Sequence, residues 1–167
     1  TFMVPLGLGG ASATRVGNAI GRDDQPGARR AANVGLCLGA GVMAVFALVF
    51  LFFPYTLSRL YTDSPGAIEM AVVLLPIAAV FQVADGTQVV AAGILRGTAD
   101  TRWPAVIAFI GYWVLGLPFG VWLAFRMEYG PAGLWWGLTL GLCSVAVLFL
   151  LRIRRRFSAP IARLQAD

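Results

Sequence analysis

Apolar side chains fill the chain almost without interruption over Val34 to Pro54, Met70 to Leu95, Trp103 to Phe125 and Ala132 to Leu151. Each run approaches or exceeds the ~20 residues that cross a bilayer as a helix rising about 1.5 Å per residue. Polar positions do not gather on one side of these windows, as they do on a helix that faces water. The pattern predicts an all-α protein, a polytopic transmembrane helical bundle. Ahead of the first run, TFMVPLGLGGASATRVGNAIG lacks a signal-peptide charge pattern and reads as the later part of a helix that begins upstream. One partial and four complete helices are expected, over about residues 1–21, 32–54, 67–96, 102–125 and 131–152. They form a single transmembrane unit, residues 1–156, followed by a tail at 157–167.

Polar clusters separate these helices. GRDDQPGARRAAN carries the breakers Pro26 and Gly27 and reads as a loop. YTLSRLYTDSPG, RGTADTR and RMEYG supply the later connections, and RIRRRF stops the last run. Small residues recur four apart, as in Gly35 and Gly39, Gly93 and Gly97, and Gly133, Gly137 and Gly141. In lipid this spacing lets helix backbones approach closely. Pro76 and Pro118 fall inside runs, where each removes a backbone hydrogen bond. A bend at Pro76 is one way to aim the following segment inward.

Charge gives the bundle a direction. All thirteen basic residues are Arg, and the formal net charge is +5. With the runs alternating in direction, eleven Arg fall at one end: Arg15, Arg22, Arg29, Arg30, Arg96, Arg102, Arg152, Arg154, Arg155, Arg156 and Arg163. Only Arg59 and Arg126 fall at the other. That bias predicts a multi-pass protein of the cell inner (cytoplasmic) membrane with its C-terminus and tail in the cytoplasm, and it argues against nucleic acid as a partner. Cys37 and Cys143 lie within runs and read as small core residues. The chain has no His, which removes the commonest metal ligand and the usual neutral-pH proton carrier. Carboxylates are left as the titrating groups at depth.

Asp85 is the one acid well inside a run. A charged side chain at mid-span costs about 2.5–3.5 kcal/mol on insertion scales, whereas Leu or Ala would pack there without penalty. On a helix, Gln82 and Gln88 lie about 60° to either side of Asp85, and Ala78 and Ala92 within about 20°. One face thus joins a carboxylate, two amides and small residues that leave room for a cation or water. Val83, Val90 and Ile94 face lipid or a neighbouring helix. Arg96 lies about 16 Å along the axis from Asp85, too far to pair with it. The expected role is a cation- or proton-binding site at Asp85 that takes H+ or Na+, with Gln82, Gln88 and Tyr112 as possible lining; a structural carboxylate is the alternative. Glu69 is expected to cap its helix, and Asp23, Asp24 and Asp100 to be solvated in loops. The tryptophans read as interface anchors or packing, with Tyr112 and Trp113 the best exceptions because they open GYWVLGLP inside a run.

Four segments, MVPLGLGGASATRVGNAIGRDD, ADGTQVVAAGILRGTADTR, GYWVLGLPFG and PAGLWWGLTLGL, resemble the C-terminal lobe of the multidrug and toxic compound extrusion (MATE) family, of the bacterial NorM type. The likeness runs from Met3 to about Arg156. It implies a transporter, not an enzyme, with no cofactor beyond its coupling ion. The family has two six-helix lobes and exports organic cations and drugs in exchange for H+ or Na+ by alternating access. These segments resemble the end of its eighth helix through its twelfth. Asp85 lies eight residues before the Gly of GILRG, where family members carry a carboxylate implicated in cation or proton binding. By that resemblance the chain's partners are the bilayer, the organic cation substrates, and the N-terminal lobe and remaining helices of the same transporter. Two other readings stay open: a lipid-linked glycan flippase of related architecture, and a small membrane scaffold that works as an oligomer.

Overall fold

The computed structural model describes residues 1–159 and 161, and every regular element among them is helical. The helices are α1 (Met3–Gly21), α2 (Gln25–Phe52), α3 (Pro54–Arg59), α4 (Pro65–Gly97), α5 (Arg102–Arg126) and α6 (Gly130–Arg156). Helices α2, α4, α5 and α6 are long and apolar enough to cross a membrane. The last part of the expected tail, including Arg163, lies outside the described residues.

Two expected boundaries are corrected. Helix α2 begins at Gln25, not near residue 32, and absorbs Pro26 and Gly27. A proline in the first helical turn gives up only an N–H that has no intrahelical acceptor. The Asp24 carboxylate accepts from the Gly27 N–H at 2.8 Å and caps the new start. Asp24 is therefore engaged in a cap rather than simply solvated. Asp23, at φ 64°, takes the left-handed turn that reverses the chain between α1 and α2. At the far end α2 stops at Phe52, and Pro54–Arg59 folds as a helix where a loop was expected. Phe53, at φ −125°, leaves the helical region because the following proline disfavours it there.

Helix α4 organises the bundle. It packs on α1 and α2 with one side and on α6 with another, while α5 lies along α6. Val16 of α1, Ala28 and Ala32 of α2, Val90 and Ile94 of α4, and Phe149 of α6 meet in a fully buried core. The helices approach at small residues. A Cβ at Gly93 would run into the backbone of Gly9 on α1, and one at Gly137 into the backbone of Gly120 on α5. Elsewhere large apolar side chains face outward, among them Val45, Phe52, Val73 and Phe125, as lipid-facing surface requires. Cys37 is exposed on α2, so it is not the core residue expected, and Cys143 is half-buried.

The prolines act differently. Helix α4 stays α-helical through Pro76. Helix α5 widens into π turns over Ile110–Gly116 and Trp122–Arg126, on either side of Pro118. Pro118 cannot donate to the Val114 carbonyl, and its ring crowds that carbonyl. A wider preceding turn relieves both problems.

The Arg-rich end is tied together by polar contacts. Asp100 is buried, not solvated as expected, and its carboxylate accepts from Arg152 Nε at 2.7 Å. The Arg152 guanidinium also lies over the Trp103 ring, 5.3 Å from its centroid. Arg29 Nη2 donates to the Phe157 carbonyl at 2.6 Å, and Gln25 Nε2 to that of Ile161 at 3.0 Å, clasping the start of the tail to α2. Glu69 is exposed in the second turn of α4, behind Ser64 at the N-cap position, so it is not the cap expected. We expect Asp100→Ala to destabilise the protein by about 1.5–3 kcal/mol, the range for a hydrogen bond to a charged group. The double variant with Arg152→Leu should recover part of that loss, because no unpaired charge is left behind. Thermal unfolding in detergent checks both, and a double variant whose loss equals the sum of the two single losses would mean that Asp100 and Arg152 contribute independently and not as a pair.

Candidate functional site

The site is built on the middle of α4. Helical spacing puts Gln82, Asp85 and Gln88 along adjacent faces, and α4 is continuous through all three. Gln82 is buried, at 4% exposure, while Asp85 and Gln88 are half-buried. The first π stretch of α5 carries Tyr112 opposite them. Its hydroxyl donates to Gln88 Oε1 at 2.5 Å, and it lies within electrostatic reach of Asp85. Because α5 rests on α6 rather than on α4, this side-chain bridge crosses from one backbone to the other.

Two unmet valences mark the cluster. Among the described residues, no donor reaches the Asp85 carboxylate and no basic side chain pairs with it. Gln82 Nε2 is buried with no acceptor. A buried amide N–H without a partner is unfavourable by about 1–3 kcal/mol, so native chains rarely keep one unless something else supplies the acceptor. No group of three or more His, Cys, Asp or Glu able to hold a metal occurs among the described residues. The cluster offers one carboxylate, Asp85, with the Gln88 amide and the Tyr112 phenol nearby.

Of the residues expected from the sequence, Asp85, Gln88 and Tyr112 come together, and Gln82 lies one helical turn away on α4. Val90 and Ile94, assigned to lipid or a neighbour, are fully buried against neighbouring helices. Trp113 falls outside the cluster: it is exposed and stacks on Phe109. Phe81, beside Gln82, meets the Trp135 ring of α6 with centroids 5.9 Å apart. The sequence offered no signal for that contact, since an aromatic in an apolar run resembles any other packing residue.

The architecture is that of a polytopic helical membrane protein. Its family follows from likeness to known chains. Residues 1–122 match the family model MatE, and the chain belongs to the MATE family, whose members are transporters and not enzymes. It is 47% identical over 166 residues to the multidrug resistance protein NorM of Burkholderia vietnamiensis, covering 96% of this chain and 36% of that one. To a probable multidrug resistance protein NorM of Burkholderia pseudomallei it is 44% identical over 170 residues, covering 99% of this chain and 36% of the other. The crystal structure of the eukaryotic MATE transporter AtDTX14 superposes with a TM-score of 0.83 at 25% identity, over 92% of this chain and 34% of that one. The chain thus spans about a third of the length of the relatives it matches.

Proposed function

We propose that this chain is part of a secondary antiporter that exports organic cations in exchange for H+ or Na+ by alternating access, with Asp85 carrying the coupling ion. The observation that carries the reading is the Asp85 carboxylate, lodged in a membrane-length helix without, among the described residues, a protein cation beside it. A lone charge in a low-dielectric setting must be neutralised by a guest. Proton, sodium ion and cationic substrate each do so, and mutual exclusion among them is the simplest chemistry for exchange. Gln82, with its spare N–H, and the Tyr112–Gln88 pair line the same region. The NorM names of the relatives agree with drug export. The remaining helices and the other lobe of the transporter complete the pathway. The Arg-rich end, which includes the end of α6, faces the cytoplasm of a bacterial inner membrane on this reading.

The energetics bound the coupling. One charge moving across 100 mV is worth about 2.3 kcal/mol, and one pH unit about 1.4 kcal/mol. Exchange of one proton for one monovalent cation cancels the voltage contribution, leaving about a tenfold substrate gradient per pH unit. The test is flux of a fluorescent organic cation in proteoliposomes of the whole transporter, with pH and Na+ gradients imposed separately. Acceleration by one of them is expected, and flux indifferent to both defeats the proposal.

Tyr112→Phe removes a hydroxyl that holds Gln88 and faces Asp85. Loss of one hydrogen bond of about 1 kcal/mol should raise the coupling-ion concentration for half-maximal flux roughly fivefold, with maximal flux retained. An unchanged half-maximal concentration would remove Tyr112 from the site.

A further inference from the structure

A groove between α1 and α2, with a volume of about 710 Å³, opens at the Arg-rich end of the bundle. Arg15, Arg22 and Arg30 line it together with Asn18, and Val34 and Leu38 continue its wall along α2. The only acid among the described residues of the lining is Asp24, whose carboxylate already accepts from the Gly27 N–H. Among the described residues, none of the three guanidiniums has a hydrogen-bond or ion-pair partner. Arg15 stands about 10 Å up α1 from Arg22, and Leu38 about 12 Å up α2 from Arg30. The groove therefore grades from cationic at the end of the bundle to apolar toward its middle. Val34 and Leu38 are about half exposed, at 52% and 51%.

We propose that this groove binds an anionic phospholipid, its phosphate held by Arg15, Arg22 and Arg30 and an acyl chain lying along Val34 and Leu38. Guanidinium forks match phosphate oxygens bidentately. Basic pockets between membrane helices suit such headgroups. The apolar continuation selects lipid over a free anion, because inorganic phosphate gains nothing from Val34 and Leu38. The site is separate from Asp85, and its occupancy does not depend on the transport reading.

The test uses the whole transporter in nanodiscs of phosphatidylethanolamine with cardiolipin, and native mass spectrometry to count the cardiolipin retained. R15Q/R22Q/R30Q should weaken cardiolipin binding by at least about tenfold. R154Q/R155Q, which removes exposed arginines at the same end of the bundle, should leave it unchanged. Leu38→Trp blocks the apolar end without altering charge and should also release the lipid, which keeps the test available if the triple variant does not fold. Inorganic phosphate should not compete. Retention by both the triple variant and Leu38→Trp overturns the proposal, as it would if other helices of the transporter fill the groove. So do equal losses in R154Q/R155Q, or displacement of cardiolipin by phosphate.

Discussion

Asp85→Asn in the whole transporter is expected to abolish gradient-driven efflux and reduce drug resistance to that of cells lacking the protein, with the fold intact. Asparagine keeps the size and hydrogen-bonding capacity of the side chain. It also removes a charge that costs about 2.5–3.5 kcal/mol at mid-span, so the thermal unfolding midpoint should hold or rise. What it cannot do is alternate between a charged and a neutralised state, and on the proposed mechanism that alternation links ion movement to substrate movement. Asp85→Glu keeps the charge but pushes it one methylene further, so it should retain partial flux with a weakened response to the driving ion. Binding of the organic cation should weaken in Asp85→Asn if ion and substrate share the carboxylate. Resistance equal to wild type in cells expressing Asp85→Asn would assign this acid to structure. Loss of both fold and function would do the same, because a structural carboxylate leaves its partner unpaired when neutralised.

The sequence carried the class and the central acid because both rest on strong, local signals. An apolar run of membrane length is seldom anything but a spanning helix, and one carboxylate within such a run stands out at once. Signals set by context were read less well. Pro26 and Gly27 have the character of breakers, yet the Asp24 cap turns them into the first turn of α2. Asp100 looks like any loop acid until α6 brings Arg152 to it across 52 residues of chain. Helical angles put Gln82, Asp85 and Gln88 on adjacent faces because they share one helix, and Tyr112 was marked, together with Trp113, only by its place at the opening of GYWVLGLP inside an apolar run. Periodicity alone did not separate Trp113 from Tyr112. Adjacent residues point about 100° apart on a helix, and only packing on α6 decides which of the two turns inward. The groove of Arg15, Arg22 and Arg30 was legible only as a charge count, since the α1–α2 hairpin is what brings those three together.

The glycines of the helix crossings supply the second large expected effect. Gly93→Ala and Gly137→Ala should each lower the thermal unfolding midpoint sharply, whereas Gly41→Ala should not lower it. A Cβ at Gly93 meets the backbone of Gly9, and a Cβ at Gly137 meets the backbone of Gly120. Neither obstacle can rotate away as a side-chain tip could, so α4 must move off α1, or α6 off α5. Overpacking of this kind costs about 1–3 kcal/mol and occasionally more. Separation is especially damaging in lipid, where close packing and not water exclusion holds helices together. At Gly41 nothing lies within 4 Å of the added carbon, and alanine improves helix propensity by about 1 kcal/mol. The two crossings also frame the candidate site: α1 against α4 fixes the helix that carries Asp85, and α5 against α6 fixes the one that carries Tyr112. Gly137→Ala should therefore weaken the coupling-ion response in the same direction as Tyr112→Phe, in whatever fraction of the protein still folds. Equal midpoints for all three alanine variants would show that these contacts yield, and the backbone crossings would then have no claim to setting the distance between α4 and α5.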